Sequence, residues 1–306
     1  MRFLLTAMLL VAVNIHAEIA VQGHRGARAV RPENTLSAFK YALEIGVDVL
    51  ELDLVVSKDD VLVIHHDLWV NQDLCLRDGK TIKQKEPLIE LTLQQIKQFD
   101  CGSRKNPRFP QQVLQQGEQI PTLKELFSLV KDSRLEVSER VRFNIETKIY
   151  RPRSELTPTP QRFAELLVEE IQASPFRDRI IVQSFDYRTL KWVKRLDPGI
   201  KVSQLSSRSF VDLVAAARSI KADYISPDWK SLTADMVGEF HANDIKVAPW
   251  TANTPEAWNY LIDLGVDDII TDDPLALINY LRQKQLRPKH NGDFHLLMSI
   301  PLKQSQ

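Results

Sequence analysis

The chain has 306 residues, of which 43% are hydrophobic and 26% charged, so neither a disordered nor a fibrous protein is expected. A total of 40 lysines and arginines balance 40 aspartates and glutamates, and this absence of a basic excess argues against nucleic acid as a partner. A chain of this length can bury one large core or two smaller ones.

A short positive start and an apolar run open the chain. Met1 and Arg2 precede the apolar stretch 3–13, and Ala17 offers a small residue at a cleavage point. The pattern is typical of a secretory signal peptide, so we expect removal of residues 1–17 and a periplasmic or secreted protein. The apolar run is shorter than the ~20 residues that a membrane span needs, so no stable membrane anchor is expected.

Beyond this leader, short apolar strands alternate with amphipathic helices. Strands are predicted at residues 19–22, 47–56, 141–146, 180–184, 200–205, 224–226, 245–250 and 268–271. Helices are predicted at residues 33–45, 122–131, 160–173, 187–195, 210–220, 233–243, 255–264 and 274–283. Eight such units predict an α/β fold, a TIM-type (β/α)8 barrel over residues 18–287, followed by a tail at 288–306 that is either a docking strand or a loose end. An open doubly wound sheet is disfavoured because no Gly-rich phosphate turn follows the first strand.

One stretch departs from the repeat. Residues 68–121 are too many for a β/α loop and contain no strongly apolar strand, so we predict a small inserted subdomain after the second strand, with a helical pattern at 93–99. The stretch contains both cysteines of the chain, Cys75 and Cys101. In an oxidising compartment they could form a disulfide, and otherwise they are two unpaired small side chains.

Polar clusters occur where the predicted barrel strands end, which is the edge that carries the active site in such folds. His24 is titratable and Arg25 suits a bound phosphate, although the pair alone is equally typical of a surface turn. Glu51 and Asp53 lie two residues apart on one strand, so both carboxylates point to the same side. Two adjacent anions require either a hard divalent cation or an Arg or Lys partner.

Two further clusters follow the same rule. In His65-His66-Asp67 we favour His66 for acid/base chemistry, because alternation turns it away from the face shared by His65; Asp67 either orients its neighbour or caps a turn. Glu146 would add a third carboxylate, and Lys148 a second cation for a phosphate. The alternative is an internal Glu-Lys pair within the barrel.

Several short motifs, taken in chain order, resemble those of the glycerophosphodiester phosphodiesterase family, and the likeness spans almost all of the chain after the leader. The motifs are His24-Arg25-Gly26, Pro32-Glu33-Asn34-Thr35, Glu51-Leu52-Asp53, His66-Asp67, Ile145-Glu146-Thr147-Lys148, Trp250-Thr251 and Ile270-Thr271-Asp272-Asp273-Pro274. The resemblance implies a TIM-type barrel with a subdomain inserted after the second strand. It also implies metal-dependent hydrolysis of a small-molecule glycerophosphodiester to sn-glycerol 3-phosphate and an alcohol.

The same resemblance implies roles for individual residues and one divalent cation, Ca²⁺ or Mg²⁺. Gln183 could bind substrate and Trp250 could line the glycerol pocket, or either could fill the barrel. Two other functions stay open, namely a phosphodiesterase directed at lysophospholipids and a non-catalytic exported binder of phosphorylated polyols. The implied set is His24 and His66 as the catalytic pair, Glu51, Asp53 and Glu146 as metal ligands, and Arg25, Lys148, Gln183 and Trp250 as substrate contacts.

Overall fold

A computed structural model of the protein describes residues 18–207 and 212–288. The predicted leader, and the predicted tail beyond residue 288, lie outside these residues. The strands are β1 Ala20–Gly23, β2 Val49–Val56, β3 Leu62–Ile64, β4 Leu76–Arg77, β5 Lys80–Thr81, β6 Phe99–Asp100, β7 Arg142–Thr147, β8 Ile180–Ser184, β9 Lys201–Ser206, β10 Tyr224–Pro227, β11 Lys246–Val247 and β12 Asp268–Thr271. The helices are α1 Leu36–Glu44, α2 Leu93–Ile96, α3 Leu123–Asp132, α4 Pro160–Gln172, α5 Tyr187–Leu196, α6 Leu213–Ser219, α7 Ala234–His241, α8 Pro255–Leu264 and α9 Pro274–Gln283.

Eight of the described strands form one parallel barrel, in the order β11, β10, β9, β8, β7, β2, β1, β12. Backbone hydrogen bonds join the two ends of this order. The amide of Asp267 donates to the carbonyl of Val247, at 3.0 Å. The amide of Ile270 donates to the carbonyl of Pro249, also at 3.0 Å. The predicted TIM-type barrel is therefore confirmed.

Helix starts follow the capping signals in the sequence. The Thr254 side chain accepts from the amide of Ala257, and Pro255 occupies the first turn of α8. Asp273 caps α9 in the same way, ahead of Pro274. Each cap satisfies an amide that the helix leaves without a partner, and proline suits a first turn because it has no amide to satisfy.

Several predicted helices are shorter than their patterns, and two of them show the physical reason. The helix predicted over 33–45 begins only after Thr35, which caps it, because Asn34 takes a left-handed φ of 57°. The helix predicted over 93–99 was wrong at its end, since Phe99 joins strand β6. In both places a contact with a distant part of the chain outweighs helical periodicity.

The stretch 68–121 holds a three-stranded antiparallel sheet in the order β5, β4, β6. A disulfide joins Cys75, just before β4, to Cys101, just after β6. Buried side chains of this stretch, among them Val70 and Leu88, form a core separate from the barrel core. Strand β3 pairs antiparallel with β2 and leads the chain from the barrel into this subdomain. Among the helices of the described residues, none is both long and apolar enough to cross a membrane.

Candidate active site

The loop after β1 turns tightly across the mouth of the barrel. A Cβ on Gly23 would lie 2.1 Å from the carbonyl oxygen of Gly26, and a Cβ on Gly26 would lie 2.8 Å from the backbone and Cβ of Ala38. Gly26 also has a φ of 85°, which L side chains rarely adopt. Both glycines are therefore needed for a turn that places His24 and Arg25 at the carboxyl ends of the strands.

Three carboxylates lie together at this edge. Glu51 and Asp53 point to the same side of β2, as the two-residue spacing predicted, and parallel pairing sets Asp53 beside Glu146 on β7. One oxygen from each of the three lies within 4.8 Å of the others, and all three side chains are buried.

Two cations contact these carboxylates among the described residues. The Nζ atom of Lys148 lies 2.9 Å from Asp53 Oδ1 and 2.7 Å from Glu146 Oε1. The Arg25 guanidinium lies 3.2 Å from Asp53 Oδ2, and the Arg25 amide donates to Glu51 Oε2 at 2.9 Å. Arg25 thus holds two of the carboxylates in place.

The carboxylates differ in how readily they ionise. Burial raises the pKa of Glu51 well above its ordinary value, and the charge of Asp53 raises it further. Burial also raises the pKa of Glu146, although Lys148 opposes this. For Asp53 burial acts in the same direction, but Lys148 and Arg25 outweigh it and hold the pKa well below its ordinary value. A further positive charge at this place would favour the ionised forms of Glu51 and Glu146.

The donor set fits a divalent metal ion. All three candidate ligand atoms are carboxylate oxygens, which Ca²⁺ and Mg²⁺ prefer over nitrogen or sulfur. A second layer orients one ligand: Gln183 donates to Glu51 Oε1 at 2.8 Å, and Asn144 donates to Gln183 Oε1 at 3.0 Å. Such outer contacts commonly orient the ligands of a metal.

His24 is held by a carboxylate from the last barrel strand. Its Nδ1 lies 2.6 Å from Asp272 Oδ1, and Asp272 is itself held by Asn253 at 2.7 Å and Arg28 at 2.8 Å. The other ring nitrogen, Nε2, lies 4.0 Å from Glu51 Oε2. Burial lowers the pKa of His24 to about 4 although Asp272 opposes this, so the ring is neutral at neutral pH.

His66 has the same kind of partner. Its Nδ1 lies 2.9 Å from Asp67 Oδ1, so Asp67 orients its neighbour, one of the two interpretations of that residue. Burial disfavours the Asp67 carboxylate, but the hydrogen bond from His66 together with the charges of His65, His66 and Arg25 outweighs burial and lowers the pKa of Asp67 to about 2. The His66 side chain is 37% exposed, whereas His65 is buried and contacts the backbone of Asp67.

Trp250 lies at the same edge of the barrel. Its Nε1 donates to the carbonyl of Ser226 at 2.8 Å, and its ring packs edge-on against Phe185, with the centroids 5.7 Å apart. Phe185 is 47% exposed, so the pair forms an aromatic wall at this edge of the barrel. Gln183 lies against Glu51, and the substrate contacts expected of Gln183 and Trp250 stay predictions.

Four residues of this edge were not assigned to the site from the sequence. Asp272 directly follows β12, and Phe185 directly follows β8, so strand-end position was the available signal for both. Glu33 accepts from Arg25 Nη1 at 2.6 Å, and Asn34 donates to Asp53 Oδ2 at 2.8 Å. Both contacts are made by the loop after β1: Glu33 lies 8 residues from Arg25 and Asn34 lies 19 residues from Asp53, so the fold of this loop against β2 brings them together.

Cations that could bind a phosphate lie at the carboxyl ends of the barrel strands together with imidazoles that could transfer protons. This combination defines a class of barrel enzymes that cleave phosphoesters. The glycerophosphoryl diester phosphodiesterase family model matches residues 24–276, and the chain belongs to this family. A glycerophosphodiester phosphodiesterase of Caldanaerobacter subterraneus is 34% identical over 263 residues, which cover 86% of this chain and 98% of the relative. One from Bacillus altitudinis is 28% identical and covers 82% of this chain and 93% of its own.

Solved structures show the same barrel. A Silicibacter pomeroyi protein with a provisional assignment as a glycerophosphoryl diester phosphodiesterase superposes with a TM-score of 0.82 at 26% identity, over 89% of this chain and 96% of its own. An Oleispira antarctica phosphodiesterase, solved in complex with the product sn-glycerol-3-phosphate, superposes with a TM-score of 0.71 at 23% identity, over 86% and 96%. The protein is a phosphoric diester hydrolase of the glycerophosphodiester phosphodiesterase type.

Proposed function

We propose that the enzyme hydrolyses glycerophosphodiesters to sn-glycerol 3-phosphate and an alcohol, with one divalent cation and two histidines. The observation that supports this proposal most directly is the cluster of Glu51, Asp53 and Glu146, whose oxygens lie within 4.8 Å of one another beside Arg25. The product bound to the Oleispira antarctica phosphodiesterase supports the choice of product.

Glu51, Asp53 and Glu146 would hold the cation, either Ca²⁺ or Mg²⁺. When bound, such a cation supplies positive charge that stabilises the phosphoryl oxygens as negative charge develops on them. Arg25 and Lys148 add fixed charge at the same place, and a guanidinium can donate two parallel hydrogen bonds to a phosphate. The phosphate is thereby held at the carboxyl ends of β2 and β7.

His24 and His66 would transfer the protons. Each ring is fixed through Nδ1 by a carboxylate, Asp272 or Asp67, which leaves Nε2 as the proton-transfer atom. One imidazole accepts the proton of the attacking hydroxyl, and the other protonates the leaving alcohol oxygen as its P–O bond breaks. Resemblance to the family favours the neighbouring glycerol hydroxyl as the nucleophile, giving a cyclic phosphate that water opens.

The aromatic wall of Trp250 and Phe185 would pack against the glycerol carbons, and Gln183 would hydrogen-bond substrate as well as Glu51. A second candidate function is hydrolysis of lysophospholipids. The exposed rings of Tyr150, Phe185 and Tyr187 favour it, because an acyl chain needs apolar surface near the mouth.

Export to the periplasm or beyond the cell is also proposed, on the basis of the predicted leader at residues 1–17 and of the disulfide between Cys75 and Cys101. Sequencing the N-terminus of the protein recovered from its native compartment tests this. A start near Glu18 supports export, and an intact Met1 contradicts cleavage.

The function is tested by measuring sn-glycerol 3-phosphate release from glycerophosphoinositol and glycerophosphocholine, with Ca²⁺, with Mg²⁺ and with chelator. His24→Ala should lower turnover about 10²-fold or more. The matched control is His241→Ala, an exposed histidine on α7 that contacts Asp267. Release that survives exhaustive chelation would remove the metal role, and no release under any condition would favour lysophospholipid substrates or a non-catalytic binder.

A further inference from the structure

A cleft of about 470 Å³ lies between the first β/α loop and the inserted subdomain. Arg25, Glu33 and His66 border it, so it opens directly onto the proposed phosphate position. Its outer wall is the segment Arg104–Arg108 of the insertion, and we call this space the basic cleft. A substrate held at Arg25 would extend one of its two phosphate substituents into the basic cleft.

The outer wall carries cations without carboxylate partners. Arg104, Lys105 and Arg108 border the cleft, and within residues 18–207 and 212–288 none of them forms a salt bridge. A fourth cation, Arg28, is paired with Asp272 at 2.8 Å. The wall therefore presents positive charge that the described part of the chain does not neutralise.

The carboxylates of the cleft do not balance this charge. Glu33 is paired with Arg25 at 2.6 Å, and Asp67 lies 2.9 Å from the ring of His66. Asp73, at the exposed rim, is the one carboxylate lining the cleft that forms no salt bridge among the described residues. Three unpaired cations face one unpaired carboxylate, so the basic cleft favours an anionic ligand.

The wall is held in place rather than loosely attached. Gln112, which is 4% exposed, donates to the carbonyls of Arg28 and Arg31 in the first β/α loop and accepts from the amide of Asn106 at 3.1 Å. Arg104 donates to the carbonyl of Gln72 at 2.7 Å, three residues before the disulfide at Cys75. These bonds keep the segment at a defined distance from the phosphate position.

The lining does not suit a quaternary ammonium or an acyl chain. A trimethylammonium group is normally bound by the faces of Trp, Tyr or Phe, but none of these lines the basic cleft, and the guanidinium of Arg28 lies over the nearby ring of Phe109 at 5.2 Å. Leu74 and Pro107 supply little apolar surface for a chain.

We propose that the preferred substrates are glycerophosphodiesters whose alcohol part carries a second phosphate, bound by Arg104, Lys105 and Arg108. This inference rests on the proposed function. Guanidinium and ammonium groups form charge-assisted hydrogen bonds to phosphate oxygens, which makes a phosphate the best-matched anion. The inserted subdomain thus selects the alcohol, whereas the barrel carries out the chemistry.

The test compares kcat/KM for glycerophosphoinositol and for the same compound with a phosphate on its inositol ring. For the wild-type enzyme we expect a preference for the phosphorylated substrate of about tenfold, the size expected for charge-assisted hydrogen bonds at a partly exposed site. Lys105→Gln/Arg108→Gln should reduce this ratio to about two or less. The matched control, Lys80→Gln/Lys83→Gln, removes two exposed charges of the same subdomain that do not line the cleft, and should keep the wild-type ratio.

Turnover of both substrates at similar kcat/KM, or a ratio that survives Lys105→Gln/Arg108→Gln, would overturn the inference and leave the proposed function intact. If the enzyme hydrolyses none of the three substrates, that is, neither inositol compound nor glycerophosphocholine, the proposed function is overturned and the inference with it. Raised salt should weaken the wild-type preference, because it screens exposed charges.

Discussion

The two ends of the barrel use carboxylates in opposite ways: those at one end are partly exposed and paired, whereas those at the other are buried and crowded. At the amino-terminal ends of the strands, Asp48 accepts from the amide of Val21 and also binds Arg287. Asp223 does the same with the amide of Val202 and the ammonium of Lys194. Each acid joins a strand to its neighbour, and the chain itself supplies a partner for each.

At the carboxyl-terminal ends, Glu51, Asp53 and Glu146 crowd together within 4.8 Å, and burial raises the pKa of two of them. Repulsion of this kind is unfavourable for folding and persists where function uses it. The comparison teaches that a carboxylate in the barrel is informative about function only once its partners have been counted.

The largest expected effect comes from Glu51→Gln at the catalytic end. Loss of a ligand oxygen should lower kcat/KM about 10³-fold or more. The free energy of unfolding measured in chelator should change by no more than about 1 kcal/mol, because the amide keeps the shape of the side chain and removes the repulsion from Asp53 that raises the pKa of Glu51. A variant that keeps its activity would show that Glu51 is no ligand.

Asp48→Ala, at the amino-terminal ends of the strands, should lower stability and leave activity nearly unchanged. It removes the acceptor for the Val21 amide and leaves Arg287, which is 9% exposed, without its main partner. We expect a loss of about 2–4 kcal/mol in the free energy of unfolding, measured by urea titration. The kcat/KM of the folded variant should stay within about twofold of wild type, and a large drop in activity would break the division between the ends.

Divalent cation should stabilise the protein through the catalytic end alone. At a concentration of about 100 times the dissociation constant, the gain is about 2.7 kcal/mol. Calorimetry with and without Ca²⁺ or Mg²⁺ measures this gain in stability. Wild type and Asp48→Ala should show it, and Glu51→Gln should show little of it. An equal shift in all three would place the cation elsewhere.

The smallest effect concerns a carboxylate at neither end. Glu170 on α4 has a buried oxygen without a hydrogen-bond partner in the described structure, and burial raises its pKa to about 7, with Lys124 opposing and Glu169 adding to the shift. Because the pKa of Glu170 is raised in the folded chain, its contribution to the free energy of unfolding is fully present below the ordinary pKa of 4.5. This contribution is lost as the pH rises through about 7. Glu170→Gln should therefore stabilise the protein by about 1–2 kcal/mol above pH 7 and not at acid pH. Urea titrations at both pH values check this, and equal effects at both would contradict the assignment.

The eight barrel strands, the helix caps and the position of Glu51 and Asp53 on one face of β2 were predictable from the sequence. Period-two alternation and capping both act between residues close in the chain. Each of these features needs only the geometry of one element. The choice of His66 over His65 rested on the same alternation, but β3 ends at Ile64 and both histidines follow it.

The partners of those residues came only from the tertiary structure. Asp272 lies 248 residues from His24 and reaches it because β12 closes the barrel against β1. The basic wall of the insertion likewise meets the site only through Gln112 and the first β/α loop. Local patterns in the sequence determined which residues share a strand and a face, whereas barrel closure decided which side chains meet, since contacts across a closed sheet depend on register and not on spacing along the chain.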